Sequence, residues 1–105
     1  MVKVCKSSGL KGTEAILAGP GYLIGVTLIA GDDDASVVLQ DDPDSADGTV
    51  LAKLKLTIAL DGLTRSEFPC VPTFCEYGIY ATVTGNLAKC IVKYAKAPLG
   101  VHKHA

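Results

Sequence analysis

The chain has 105 residues and a formal net charge of −1, with 49% apolar and 20% charged residues. This length suits one domain with one core, and the composition excludes a disordered or fibrous protein. Ten Lys and Arg residues nearly balance eleven Asp and Glu residues without forming a basic block, so we expect no general nucleic-acid binding. With no Trp and two Phe, the core is predicted to consist of Val, Ile, Leu and Ala, which suits strands.

The apolar segments of the chain predict neither a secretory signal nor a membrane span. Residues 1–6 lack an apolar run followed by a cleavage site, so we expect no secretory signal and a chain that is made and kept in the cytosol. The longest apolar run, Tyr22–Ala30, is interrupted by Gly25 and Thr27 and is too short to span a membrane. We therefore expect no membrane association.

Alternating apolar and polar residues predict short strands from the N-terminus onward. Residues 1–6 fit an edge strand in which Cys5 faces outward, and a weaker alternation covers Gly12–Ala18. The next run, Tyr22–Ala30, is apolar on both faces, with Tyr22 assigned to the inner one, which predicts a central strand.

Two acidic stretches, 31–34 and 41–48, are predicted turns because neighbouring carboxylates repel one another and are costly to bury. A strand with inward Ala35, Val37 and Leu39 lies between them. The clearest alternation follows in Thr49–Ile58, and it assigns Val50 to the inner face. Residues 63–77 contain Pro69 and Pro72, which favours an irregular connection or a broken edge strand.

The segment Tyr77–Tyr94 predicts a β-hairpin, because two alternating runs flank Gly85-Asn86, a dipeptide typical of tight hairpin turns. The predicted inner face pairs Val83 with Ala88, Ala81 with Cys90, Ile79 with Val92 and Tyr77 with Tyr94. The predicted outer face contains Tyr80, Thr82, Thr84, Leu87, Lys89, Ile91 and Lys93. Residues 96–105 are predicted to be a flexible tail. With seven to eight short strands, the predicted fold is an all-β, antiparallel, jelly-roll-like β-sandwich formed by residues 1–105 as one domain.

The cysteine spacing does not fit a zinc site, since only Cys70 and Cys75 are close in sequence. Cys90 is predicted to be a small buried residue on the inner face. Cys5 is predicted to face outward, and Cys70 and Cys75 to lie in an exposed loop. These three are available for disulfides, or they remain free thiols, because a reducing cytosol does not preserve such bonds.

No residues stand out as catalytic, cofactor-binding or metal-binding. The spacing of Asp42, Asp44 and Asp47 misses a calcium-loop pattern by one residue, and solvated turns explain these carboxylates. A glycosidase-type carboxylate pair stays open, although nothing places an acid and a base across a cleft. His102 and His104 fall in the predicted tail, and no nucleophile motif is present, so we expect no enzyme activity.

The runs Gly48–Leu54, Gly78–Gly85 and Ala88–Val92 together resemble small β-sandwich virion structural proteins of tailed bacteriophages, over about residues 12 to 95. The apolar segment from Gly19 and its acidic turn fit the same pattern. The resemblance implies a non-enzymatic virion protein that self-associates and binds phage capsid or portal and neck proteins. It implies a place on the capsid exterior, as a decoration protein, or in the neck or collar, and it identifies no functional residue.

Two sets of residues are candidates for such a role. The candidate interface residues are Phe68, Phe74, Tyr80, Lys89, Ile91 and Lys93. The candidate interchain disulfide residues are Cys5, Cys70 and Cys75, whose bonds would harden a virion outside the cell. The alternative function is a carbohydrate-binding module, which requires exposed aromatic rings; with Tyr22, Tyr77 and Tyr94 predicted inside, only Tyr80 and the two Phe residues remain for it.

Overall fold

Strand-forming residues and turn signals divide the chain into nine strands in the computed structural model, which describes residues 6–58, 62, 64–68 and 72–97. The strands are β1 (Lys6–Ser7), β2 (Glu14–Ala18), β3 (Gly21–Ile29), β4 (Ala35–Asp41), β5 (Thr49–Leu56), β6 (Thr64–Glu67), β7 (Thr73–Cys75), β8 (Gly78–Thr84) and β9 (Lys89–Lys96). Sheet A has the order β1-β9-β3-β6, with β7 also paired to β3, and sheet B has the order β2-β8-β4-β5. All pairings are antiparallel, so the predicted antiparallel β-sandwich is confirmed, with nine described strands.

The core lies between the two sheets and consists of aliphatic residues and two cysteines. Its largest fully buried side chains are Leu23, Leu28, Leu39, Leu56, Ile79, Val37, Val92, Cys75 and Cys90. Among the described residues, none of the buried ones is polar or charged. Removal of apolar surface from water is therefore the main stabilising contribution to this fold.

The predicted β8–β9 hairpin is wrong. β8 lies between β2 and β4 in sheet B, whereas β9 lies between β1 and β3 in sheet A. A turn closed by a 3.2 Å hydrogen bond from Ala88 N to Gly85 O carries the chain across the core from one sheet to the other. The inward assignment of Ile79, Ala81 and Cys90 is nevertheless correct, because all three are 0% exposed. The alternating pattern of β8 and β9 fits two strands of one hairpin, and it fits equally well two strands of facing sheets whose apolar sides meet in the core.

This crossing divides the predicted outer face into two. Tyr80 and Thr82 belong to sheet B, while Lys89, Ile91 and Lys93 belong to sheet A on the opposite side of the molecule. Tyr77, which was predicted to lie inside, precedes β8 and is 59% exposed.

Two other residues that were predicted to face inward, Tyr22 and Val50, face outward because of β-bulges. In β3 the register shifts between Leu23 and Gly25, so the extra residue reverses the alternation and Tyr22 faces outward. The pairing of β4 with β5 also shifts, because Leu39 faces Ala52 and Gln40 faces Val50. As a result, Val50 is 48% exposed instead of buried.

The Pro-containing connection and the C-terminal end also differ from simple loops. β6 and β7 both pair with β3, as expected for a broken edge strand. Arg65 of β6 donates a 3.0 Å hydrogen bond from Nη1 to the carbonyl of Lys55 in β5, which joins the two sheets along this side.

Lys96 is part of β9, and Ala97 N donates to Pro20 O at 3.1 Å, so the predicted tail does not begin at residue 96. Residues 98–105, with His102 and His104, lie outside the described residues.

Candidate interaction surface

The outward side of sheet A has a phenylalanine ring at its centre. Gly25 pairs with Lys93 across β3 and β9, and the ring of Phe68 occupies the position that a Cβ atom on Gly25 would need. Lys93 Nζ lies 5.7 Å from the centroid of this ring, a cation–π contact. Phe68 still exposes 54% of its surface. The absence of a side chain at Gly25 therefore leaves room for the ring of the exposed Phe68 to pack on β3.

A second aromatic pair lies on the same side. The rings of Tyr22 and Phe74 have centroids 5.4 Å apart and meet edge to face at 61°. Tyr22 is directly opposite both Phe74 and Ala95 in the sheet register. Ala95 is 3% exposed but does not belong to the core cluster between the sheets. We conclude that these aromatic rings cover Ala95 on the outer surface.

Polar and basic residues complete this surface. Ile91 pairs with Thr27, whose hydroxyl lies 2.8 Å from that of Ser66, and the exposed Lys89 pairs with Ile29. Among the described residues, no Asp or Glu occupies an outward position of sheet A. We call this surface the aromatic-lysine face; its residues are Tyr22, Gly25, Phe68, Phe74, Lys89, Ile91 and Lys93.

The structure therefore brings together five of the six predicted interface residues. Phe68, Phe74, Lys89, Ile91 and Lys93 lie on the aromatic-lysine face. The sixth, Tyr80, is on the other sheet, and the sequence prediction missed Tyr22 because the bulge in β3 has no compositional signal.

A pocket of about 300 Å³ opens beside this face. It lies beside β3, between the part that pairs with β6 at Val26–Ile29 and the part that pairs with β7 at Gly21–Leu23. The residues that line it are Leu23, Gly25, Val26, Leu51, Ala52, Glu67, Phe68 and Thr73. Since Leu23 and Val26 are core residues, this pocket reaches the core of the sandwich.

The carboxylates of the second acidic stretch organise backbone turns. Asp41 accepts three hydrogen bonds from consecutive backbone N–H groups: Glu76 at 3.0 Å, Tyr77 at 2.7 Å and Gly78 at 3.2 Å. Asp42 Oδ1 accepts from the N–H groups of Asp44 and Ser45 at 3.0 and 2.9 Å. The hydrogen bond from Asp44 is the main cause that lowers the pKa of the Asp42 carboxyl below its ordinary value.

The first acidic stretch has the same structural role. Asp34 accepts a 2.9 Å hydrogen bond from Ile58 N, and Asp32 accepts one of 2.8 Å from the side-chain amide of Asn86. In the part of the chain that the structure describes, no group of three or more His, Cys, Asp or Glu side chains is placed to hold a metal ion. These hydrogen bonds account for the aspartates as turn-forming residues.

The two described cysteines lie in the core as free thiols. Cys90 is 0% exposed, which confirms its predicted burial. Cys75 is also 0% exposed, which corrects its predicted position in an exposed loop: the short strand β7 pairs with Gly21 and turns this side chain inward. Cys5 and Cys70 lie outside the described residues.

Burial should make both described thiols unreactive in the folded protein. Desolvation raises the pKa of Cys75 to about 11, with Asp41 adding to it, and raises that of Cys90 to about 11, with Glu14 adding to it. The thiolate is the reactive form, so we expect iodoacetamide at pH 8 to leave both residues unmodified, as measured by peptide mass mapping. In denaturant both should react. Rapid modification of Cys75 in the native protein would contradict its burial.

The comparisons with known proteins add no relative. No family model matches this chain, and neither a curated protein nor a solved structure was found to be similar to it. Within the described residues, no helix has the length and apolarity that crossing a membrane requires. Functional inference therefore depends on the surfaces of the chain itself and on its sequence.

Proposed function

We propose that this chain is a non-enzymatic structural protein that self-associates and docks on a larger assembly through the aromatic-lysine face. The observation that supports this function is the presence of exposed Phe68 and Phe74, together with Lys89 and Lys93, on the outward side of sheet A, where the described residues include no Asp or Glu. Aromatic residues are enriched at the centres of protein interfaces. The assembly we propose is the exterior of a bacteriophage virion, either the capsid surface or the head–tail neck or collar, on the basis of the sequence resemblance.

The exposed rings supply a reason for association. Phe68 and Phe74 are 54% and 45% exposed, and covering apolar surface is favourable by about 25 cal/mol per Å². Large aromatic residues are also the side chains that most often dominate binding energy. Lys93 contacts the ring of Phe68 and Lys89 lies on the same side of sheet A, which favours a partner surface with carboxylates.

The arrangement of the rings favours a protein partner over a sugar. Stacking on a sugar ring requires an aromatic ring with an accessible flat face. Tyr22 and Phe74 instead meet edge to face at 61°, and the face of Phe68 has Lys93 5.7 Å from its centroid. For this reason carbohydrate binding is the second proposal and protein docking is the first.

Interchain disulfides remain part of the proposal only for two residues. Cys75 is buried and cannot reach another chain without local unfolding. Reinforcement of a virion by disulfides would therefore involve Cys5 and Cys70.

The proposed face is tested by reversing its charge. The double variant Lys89→Glu/Lys93→Glu should keep the wild-type melting temperature within a few degrees, because both side chains are exposed. We expect it to weaken self-association by about ten-fold or more, since like charges would then meet across the interface. Sedimentation velocity over a dilution series, with circular dichroism for folding, measures both effects.

A matched control exists on the opposite sheet. Lys53→Glu/Lys55→Glu makes the same change of charge on two exposed residues of β5 and should leave self-association unchanged. Equal weakening by both double variants, or a monomeric wild type at every concentration, would contradict the proposed face. In the second arm of the experiment, the chain should copurify with particles of the phage that encodes it; recovery only from the soluble lysate would contradict the virion role.

A further inference from the structure

One leucine is held in a backbone conformation that leucine rarely adopts. Leu87, in the turn between β8 and β9, has a φ of 61° and is 73% exposed, the highest exposure among the large apolar residues described. Bulky residues are outliers in the left-handed region, where Gly or Asn is usual. The turn also packs closely on Gly31, where a Cβ atom would collide with Asn86 O and Leu87. Strain of this kind persists only where the surrounding structure enforces it, and it clusters at functional sites.

Three carboxylates directly follow Gly31, on which this turn packs. Asn86, the neighbour of Leu87 in the turn, donates its side-chain amide to Asp32 at 2.8 Å, and Asp33 and Asp34 follow as exposed residues. The tip of the sandwich therefore presents one apolar side chain next to a group of negative charges. We call it the Leu87 tip.

The pocket beside Phe68 is lined mostly by apolar residues. Its apolar lining includes the core residues Leu23 and Val26, and its volume of about 300 Å³ exceeds the roughly 150 Å³ that accommodates benzene in a protein core. One leucine side chain therefore fits inside. Lys93 lies against Phe68 at the margin and its charge favours an acidic partner, whereas Glu67, which lines the pocket, opposes one.

We propose that the Leu87 tip of one copy inserts into the Phe68 pocket of the next copy. This inference rests on the proposed function and specifies its self-association. The tip and the pocket are separate surfaces of one chain: Leu87 lies two residues before Lys89, whereas the pocket adjoins Gly25, which pairs with Lys93. In the proposed arrangement the contact is heterologous, and repeated head-to-tail contacts form rings or filaments.

Two variants that each disable one half of the contact test this arrangement. Leu87→Asp removes the apolar tip, and Phe68→Asp places a carboxylate at the pocket. Each alone should weaken self-association by about ten-fold or more, as expected for central interface residues. Mixed in equal amounts, they should form a one-to-one dimer that does not grow, because each variant retains the half that the other lacks. Sedimentation velocity and native mass spectrometry detect this dimer.

Further variants separate docking from folding. Leu87→Gly should raise the melting temperature, because Gly adopts the left-handed conformation without strain, and should still weaken self-association. Leu10→Asp is the control, since Leu10 is 63% exposed elsewhere, and it should leave association unchanged.

Three results would overturn the head-to-tail contact. The first is wild-type association of Leu87→Asp when Phe68→Asp has lost it; the aromatic-lysine face would then still be the docking face, with another partner segment. The second is a mixture of the two variants that stays monomeric. The third is a wild-type chain that is monomeric throughout the dilution series, which would also contradict self-association itself.

Discussion

Replacing Asp41 by Ala should lower the free energy of unfolding by about 2 to 4 kcal/mol. Its carboxylate binds three consecutive backbone N–H groups, at 2.7 to 3.2 Å, in the turn that joins β7 of sheet A to β8 of sheet B. Hydrogen bonds to a charged group contribute roughly 1.5 to 3 kcal/mol each. The expected loss is smaller than three such contributions because water can solvate the exposed donors of Glu76 and Tyr77. Urea denaturation measures the change.

Two further variants isolate the role of this carboxylate. Asp41→Asn retains one oxygen acceptor and should lose less stability than Asp41→Ala. Asp33→Ala removes an exposed carboxylate from the other acidic turn and should change stability by about 0.5 kcal/mol or less. If Asp41→Ala and Asp33→Ala had equal effects, the three-donor interaction would have no role in stability.

Leu56→Ala should destabilise the protein by about 2 to 5 kcal/mol, the usual cost of truncating a core leucine. Leu56 is 1% exposed on the inner face of β5. Val50 lies on the same strand and belongs to the same alternating set, but the bulge leaves it 48% exposed. Val50→Ala should therefore cost about 0.5 kcal/mol or less. Thermal and urea unfolding of both variants provide the comparison, and similar costs would show that β5 has no bulge.

The inner faces of the strands were predictable because alternation is a local property of the sequence. Ile79, Ala81, Cys90 and Val92 were correctly assigned to the core, where all four are 0% exposed. The partner of each strand was not predictable, because distant residues decide it. Gly85-Asn86 is typical of a hairpin, yet β8, which precedes it, pairs with β4, and β9, which follows it, pairs with β3.

The candidate surface was predicted in part for the same reason. Lys89, Ile91 and Lys93 follow a regular alternation, so their outward position was found. Tyr22 follows a bulge that inserts one residue without a distinctive sequence, so it was assigned to the wrong face. Cys75 was assigned to an exposed loop because Pro69 and Pro72 precede it, whereas pairing with Gly21 turns it into the core.

The crossing of the chain after β8 also determines when the protein can fold. β8 and β9 occupy interior positions of different sheets, and β4–β5 is the one pair of consecutive described strands that are hydrogen-bonded neighbours. Sheet B cannot close before β8 is present, and sheet A cannot close before β9 is present. Folding is therefore expected to be dominated by distant contacts, in the millisecond-to-second range typical of all-β domains, and a chain that ends at Gly85 should remain unfolded because sheet A would lack β9.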